Sequence, residues 1–326
     1  MGDDSPSELP TVLVLQRSPT IALLEPSCSQ KFNLLKAWDS PLPQDQFLTT
    51  HAGSVQALIA PVHGPPITAQ ILQSLPSLKF ITTTSAGLDH VDLAECQRRG
   101  VAVANASKAF AEDAADMAVG LFIDVMRKIS ASNRYVRDGL WATRGDYPLG
   151  SKIGGKTVGI VGLGNIGLGV AKRLEAFGCR VLYNSRSERP SLSYRYYSDV
   201  CELAAESDAL IICCALTEQT HHMINKEVLC ALGREGVIVN VGRGAIIDEK
   251  EMVRCLVRGE IAGAGLDVFE NEPDVPKELF GLDNVVLSPH QAVVTPESMV
   301  GLSEVVTENL EAFFSNKPLL SPAVII

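Results

Sequence analysis

Short apolar runs rich in β-branched residues alternate along the chain with segments whose apolar positions recur every three to four residues. Residues 11–16 (TVLVLQ), 55–61 (VQALIAP), 78–85 (LKFITTTS) and 101–105 (VAVAN) read as strands. Between them, 67–76 (ITAQILQSLP) and 91–100 (VDLAECQRRG) have helical spacing and stop at Pro76 and Gly100. This β-α-β-α rhythm predicts a parallel sheet with helices on its faces. A longer helix is expected over 112–130, where Met117, Leu121, Val125 and Ile129 form one stripe and Ala118 and Phe122 widen it. Part of that wide face is available for a dimer contact. Residues 133–156 are glycine-rich and read as irregular. From Lys156 the rhythm restarts: a strand into a glycine turn (157–164), a helix closed by Gly178, and a strand at 179–187. Further strands are expected at 208–216, 236–241, 263–269 and 284–290. A last helix at 296–317 carries Met299, Leu302, Val306, Leu310 and Phe313 or Phe314 on one stripe, and is expected to return to the first block. Two α/β blocks result.

Composition narrows the function. With 46% hydrophobic and 20% charged residues in 326, the chain can bury sizeable cores and is not mainly disordered. Lys plus Arg total 28 and Asp plus Glu 38, a formal charge of −10. Such a chain is a poor non-specific ligand for nucleic acid or an anionic membrane, though one local basic pocket is still compatible with it. The eight cysteines are scattered, with no metal-ligand spacing, and read as reduced thiols. No catalytic metal is expected. No apolar run approaches the roughly 20 residues of a membrane helix. The start, MGDDSPSELP, is acidic and unlike a leader peptide, and the end, SPAVII, is no targeting address, so the cytosol is the expected compartment.

The first chemical signature is Gly162-Leu163-Gly164-Asn165-Ile166-Gly167, a G-x-G-x-x-G between an apolar strand and a helix. In that context the first glycine makes the turn and the second lets backbone approach a pyrophosphate. The third allows close packing, and the helix N-terminus supplies N–H donors. An NAD site places a carboxylate on the ribose about 20 residues further on. Here the second strand ends in Ser185-Arg186-Ser187 and no acid precedes Glu188. An arginine attracts a 2′-phosphate, so the site reads as NADP(H). The alternative is a solvated Arg186 with Glu188 on the ribose.

Three further features follow predicted strands: Asn240-Val241-Gly242-Arg243-Gly244, Asp267 through Pro273, and Ser288-Pro289-His290. Ligands bind at such carboxyl ends in open α/β sheets. Together the three suit reduction of a 2-oxo acid. Arg243 offers a planar fork to the carboxylate and carbonyl oxygen, and His290 offers a proton near neutral pH. A carboxylate on the far ring nitrogen favours the charged imidazole and fixes its tautomer, and Glu272 is the candidate. His51, His63, His90, His221 and His222 lack such a setting; the last two fit a turn leading into a helix.

In these motifs the chain resembles the D-isomer-specific 2-hydroxyacid dehydrogenases, and among them the plant glyoxylate, hydroxypyruvate and hydroxyphenylpyruvate reductases. TSAGLDHVDL, VGIVGLGNIG, YNSRS, NVGRG, GLDVFENEP and SPH carry the resemblance over nearly the whole length. It implies an α/β protein of two Rossmann-like domains with parallel sheets and the ligands in an interdomain cleft. Residues 1–106 with 290–326 would form the substrate domain and 107–289 the NADP-binding domain. It implies Arg243 as substrate-binding residue, Glu272 as its histidine's partner and His290 as general acid. Asp267 would lie near the nicotinamide, with backbone at Val241 and Gly242 on the cofactor. Ala86 and Gly87 match the substrate-carboxylate loop, where small residues let backbone N–H groups face an anion. Trp141 resembles a tryptophan that reaches the partner subunit's site. The family is generally dimeric. The segment QAVVT after His290 and the loop Ala60-Pro61-Val62-His63-Gly64 depart from the family pattern, which leaves glyoxylate, hydroxypyruvate and hydroxyphenylpyruvate all open, the first two ahead. The competing reading is a non-enzymatic dinucleotide-sensing scaffold, the C-terminal-binding protein type of the same fold.

Overall fold

The computed structural model describes residues 9–323 apart from 52, 62 and 63. Val62 and His63 of the early loop therefore lie outside the described residues, as do most of the acidic start and the last three residues. The described chain falls into two compact units. One runs up to Phe110 and resumes at Val294, and the other is Ala111–Val293. Both divisions come a few residues later than the expected crossings, and the first lies inside the helix Ser107–Arg127.

In the first unit β1 (Thr11–Val14), β2 (Asn33–Lys36), β3 (Ala57–Ala60), β4 (Phe80–Thr83) and β5 (Ala102–Ala104) form one sheet in the order β2-β1-β3-β4-β5. Every pairing in it is parallel. β3 and β4 are buried along their whole length, which is why they read as continuous apolar runs. Helix ends follow local chemistry. Asp92 accepts the N–H of Glu95 at 2.9 Å to start Leu93–Arg99, and Gly100, at φ 67°, ends it. The last helix, Pro296–Phe314, starts on Thr295 and buries Leu302, Val306 and Leu310. Fully burying side chains of this kind is worth roughly 1.5–3 kcal/mol each. Phe313 stacks on Phe80 with ring centroids 4.9 Å apart, so the final helix does return to the first block.

The second unit holds seven parallel strands: β6 (Thr157–Val161), β7 (Arg180–Asn184), β8 (Arg195–Tyr196), β9 (Ala209–Ile212), β10 (Val237–Asn240), β11 (Gly263–Leu266) and β12 (Val285–Leu287). Their order is β12-β11-β10-β9-β6-β7-β8, so the winding reverses between β6 and β9. That reversal is where an open α/β sheet leaves a ligand crevice. Side chains alternate between two cores. Leu210, Ile212 and Ile238 face one, and Ala209, Ile211, Val237 and Val239 face the other. Ala118, Leu121, Phe122 and Val125 of Ser107–Arg127 cover the second face. A Cβ on Gly265 would stand 2.9 Å from Leu121 Cβ, so β11 and this helix pack at glycine distance.

Three local expectations change. Ile129 does not extend the buried stripe: Lys128 takes a left-handed φ of 56°, a new helix Ile129–Arg137 begins, and Ile129 is half exposed. The segment expected to be irregular holds that helix and Leu140–Arg144. The runs at 208–216, 263–269 and 284–290 are strands only over their first parts, because their later residues leave the sheet to build the site.

Candidate active site

β6 ends in the glycine turn. Gly162 has φ +98°, and a Cβ there would lie 2.5 Å from the backbone nitrogen of Cys214. A Cβ on Gly167 would lie 2.2 Å from the Gly162 carbonyl oxygen. These two positions exclude side chains for internal reasons. Gly164 differs: a Cβ there meets nothing within 4 Å, so the protein leaves the space above it open. Gly164 is also the N-cap of Asn165–Ala176 and offers no side-chain acceptor to the first helical N–H groups. An open cradle beside an uncapped helix start fits a pyrophosphate.

At the end of β7, Ser185 donates to the Ser187 carbonyl at 2.6 Å, a tight loop that leaves Arg186 exposed. Glu188 is exposed beside it. Arg189, unflagged by the sequence reading, donates from Nη1 to the Leu163 carbonyl at 2.6 Å and ties this loop to the glycine turn. A cationic, hydroxyl-bearing loop fastened to the pyrophosphate cradle suits a phosphorylated ribose.

The arginine, glutamate and histidine singled out in the sequence stand past the carboxyl ends of β10, β11 and β12. His290 Nδ1 lies 2.7 Å from Glu272 Oε2. The other carboxylate oxygen, Oε1, accepts the Phe269 N–H at 3.0 Å. Burial pushes the Glu272 carboxyl up, but the His290 and Phe269 hydrogen bonds and the charges of His290 and Arg243 outweigh it and hold it below the usual 4.5. An ionised carboxylate only accepts, so Nδ1 carries a hydrogen and Nε2 is the ring atom left for chemistry.

Asp267, 1% exposed, spends both carboxylate oxygens on this loop: Oδ1 on the Gln291 N–H at 2.9 Å and Oδ2 on the Ala292 N–H at 3.0 Å. Its carbonyl accepts the His290 N–H at 2.7 Å. These bonds explain why residues 290–293 belong to the seven-stranded unit, although a crossing before His290 was expected. They also hold His290 at φ 50°.

Asn240, fully buried, stands in the arginine motif without an expected role and is a positioning residue. Its Oδ1 accepts the Gly242 N–H at 2.9 Å and its Nδ2 donates to the Arg243 carbonyl at 3.0 Å. Arg243 Nη1 donates to the Gly242 carbonyl at 2.9 Å. A Cβ on Gly244 would sit 1.8 Å from the Phe269 carbonyl carbon. The arginine loop and the glutamate turn thus touch backbone to backbone. Arg243, Glu272, His290, Asp267, Val241 and Gly242 all lie along this edge of one unit. Ala86 and Gly87 belong to the other unit, just past β4, where Ser85 Oγ donates to the Gly87 carbonyl at 2.6 Å. Trp141 lies on the short helix Leu140–Arg144 and is 60% exposed.

The profile of the family described as D-isomer specific 2-hydroxyacid dehydrogenase, NAD binding domain, matches residues 119–292. A glyoxylate/hydroxypyruvate reductase of Arabidopsis thaliana is 54% identical over 97% of this chain and 98% of its own. A hydroxyphenylpyruvate reductase of Plectranthus scutellarioides is 46% identical over 95% and 98%. The solved structure of an NADPH-dependent glyoxylate/hydroxypyruvate reductase from Sinorhizobium meliloti, in complex with NADP and malonate, is 34% identical. It superposes with a TM-score of 0.86 over 97% of each chain.

Proposed function

The chain belongs to the D-isomer-specific 2-hydroxyacid dehydrogenase family, and from that premise we propose that it is an NADPH-dependent reductase of small 2-oxo acids, forming D-2-hydroxy acids. The observation that carries this reading is the His290–Glu272 pair beside Arg243 on the sheet that carries the dinucleotide loop. A sensing scaffold has no need of an oriented imidazole there, and the relatives are named as reductases.

NADP(H) is assigned to Gly162 through Gly167, with Ser185, Arg186 and Ser187 on the 2′-phosphate and Val241, Gly242 and Asp267 toward the nicotinamide end. When bound, the reduced nicotinamide supplies a hydride. The protein's own part is charge and proton management. Arg243 holds the substrate carboxylate and draws electron density toward the carbonyl oxygen. Ala86 and Gly87 are proposed to offer backbone N–H groups to the carboxylate. Protonated His290 gives its Nε2 proton to the carbonyl oxygen as that oxygen becomes an alkoxide. Glu272, bonded to Nδ1, keeps the ring oriented and stabilises the imidazolium before transfer. Hydroxypyruvate and glyoxylate rank ahead of hydroxyphenylpyruvate. A homodimer in a reducing cytosol completes the proposal. Ile129, Val136, Trp141 and Leu149 are exposed apolar side chains that such an interface could cover, and all eight cysteines are free thiols. Among the described residues, no helix is long and apolar enough to cross a membrane.

The test is the initial rate of NADPH oxidation with glyoxylate, hydroxypyruvate and hydroxyphenylpyruvate supplied singly. Turnover on one or more supports the reductase, and the ratio of efficiencies ranks the substrates. Tight dinucleotide binding without turnover on any of the three goes against it.

A further inference from the structure

Beside the acid–base group, the same edge of the seven-stranded sheet holds a second set of donors that the reductase reaction does not use. His221 and His222 lie in the turn between β9 and the helix Lys226–Leu232, and Glu270 lies in the turn after β11 that also carries Glu272. His222 Nε2 is 2.9 Å from Glu270 Oε1. The two imidazoles stack with centroids 4.0 Å apart and planes inclined by 28°. One ligand atom from each of the three residues lies within 4.8 Å of the other two.

The backbone beneath these side chains is fastened independently of them. The His221 N–H donates to the Thr217 carbonyl at 2.9 Å, and the His222 N–H to the Ala245 carbonyl at 2.8 Å. The Glu270 N–H donates to Glu249 Oε2 at 3.0 Å. Glu249 is buried, and although the Glu270 N–H lowers its carboxyl, burial and the neighbouring Glu270 charge raise it overall. Two carboxylates therefore repel each other at this point, and a cation on Glu270 relieves that repulsion.

We propose that His221, His222 and Glu270 form a binding site for a divalent transition-metal ion of the zinc type, bridging the turn after β9 to the turn that carries Glu272. Two imidazoles and one carboxylate are donors that Zn²⁺ accepts, at bond lengths of roughly 2.0–2.2 Å. Mg²⁺ and Ca²⁺ favour sets made of oxygen, so imidazoles select against them. An ion bonded at those lengths separates adjacent donors by roughly 3–4 Å. The His222–Glu270 pair has to open slightly and the widest pair has to close slightly. His221 is exposed and can leave the stack to point its lone pair at the ion. These are side-chain rotations, and the anchored backbone need not move. The ion replaces the direct His222–Glu270 hydrogen bond and links two turns of the catalytic edge.

Calorimetric titration of Zn²⁺ into the full-length, chelator-treated protein tests the site, with Mg²⁺ as comparison. Cys230 is exposed and also attracts zinc, so a Cys230→Ser background is run in parallel. The expected result is one Zn²⁺ per chain, retained in Cys230→Ser. Affinity should fall roughly tenfold or more in each of His221→Ala, His222→Ala and Glu270→Gln. Because His221 is exposed, its variant folds like wild type by circular dichroism. The proposal is overturned if Zn²⁺ does not bind, if Mg²⁺ binds as well, if binding disappears in Cys230→Ser, or if His221→Ala binds undiminished.

Discussion

Two opposing effects act on the Glu272 proton: burial favours keeping it, and the hydrogen bonds from His290 and Phe269 favour losing it. The second effect wins, so the folded protein holds this carboxylate ionised below the pH at which the unfolded chain protonates it. A depressed acid contributes stability that is complete above its unfolded value of 4.5 and is lost as the pH falls through the lower folded value. Wild type should therefore be more stable than Glu272→Gln at pH 7, and the gap should close on acidification below 4.5. Thermal unfolding of both proteins across that range checks this, and a gap that widens on acidification contradicts it. Arg186 answers a different question. If its guanidinium binds a 2′-phosphate, Arg186→Asp raises the KM for NADPH roughly tenfold or more and leaves NADH little changed. Equal losses for both cofactors would remove the assignment.

At the scale of elements, the site depends on loops that other residues clamp. Asn240→Ala orphans the partly buried Gly242 N–H, at about 1–3 kcal/mol, and leaves the Arg243 carbonyl with the Ile246 N–H as its donor. Its kcat/KM should fall with it, because Arg243 loses its placement while remaining present. Gly244→Ala drives a methyl into the Phe269 carbonyl and should cost about 3 kcal/mol or more, read from denaturant midpoints. Neither role was legible in the sequence. Asn240 and Gly244 read only as neighbours of an arginine: the Asn240 clamp depends on how its amide turns onto the backbone of Gly242 and Arg243, and the Phe269 backbone that Gly244 meets is distant in sequence. The glycine turn was legible, since strand, glycines and helix are contiguous. So were Arg243, Glu272 and His290, each just past an apolar run. Polar helices that bury few side chains, such as Gln44–His51 and Ile129–Arg137, escaped the pattern, as did the partly exposed strand β2.

At the scale of the whole molecule, one chain builds two parallel α/β units with different windings, β2-β1-β3-β4-β5 and β12-β11-β10-β9-β6-β7-β8. The alternation of strand and helix signals announced both sheets. Strand order was not readable, because it depends on which edge each crossover takes. The return of the last helix to the first unit follows from burying Leu302, Val306 and Leu310. The dinucleotide turn, the arginine loop and the acid–base pair all lie in the seven-stranded unit, so dinucleotide affinity and proton transfer can be separated by mutation. The most direct test of the account is the kcat of His290→Ala for NADPH-driven reduction of hydroxypyruvate, measured beside its Kd for NADPH. Loss of the general acid should lower kcat by roughly 10²–10⁴-fold while the Kd stays within about twofold of wild type. A kcat equal to that of wild type would contradict the assignment of His290 as the proton donor, and with it the proposed reaction at this site.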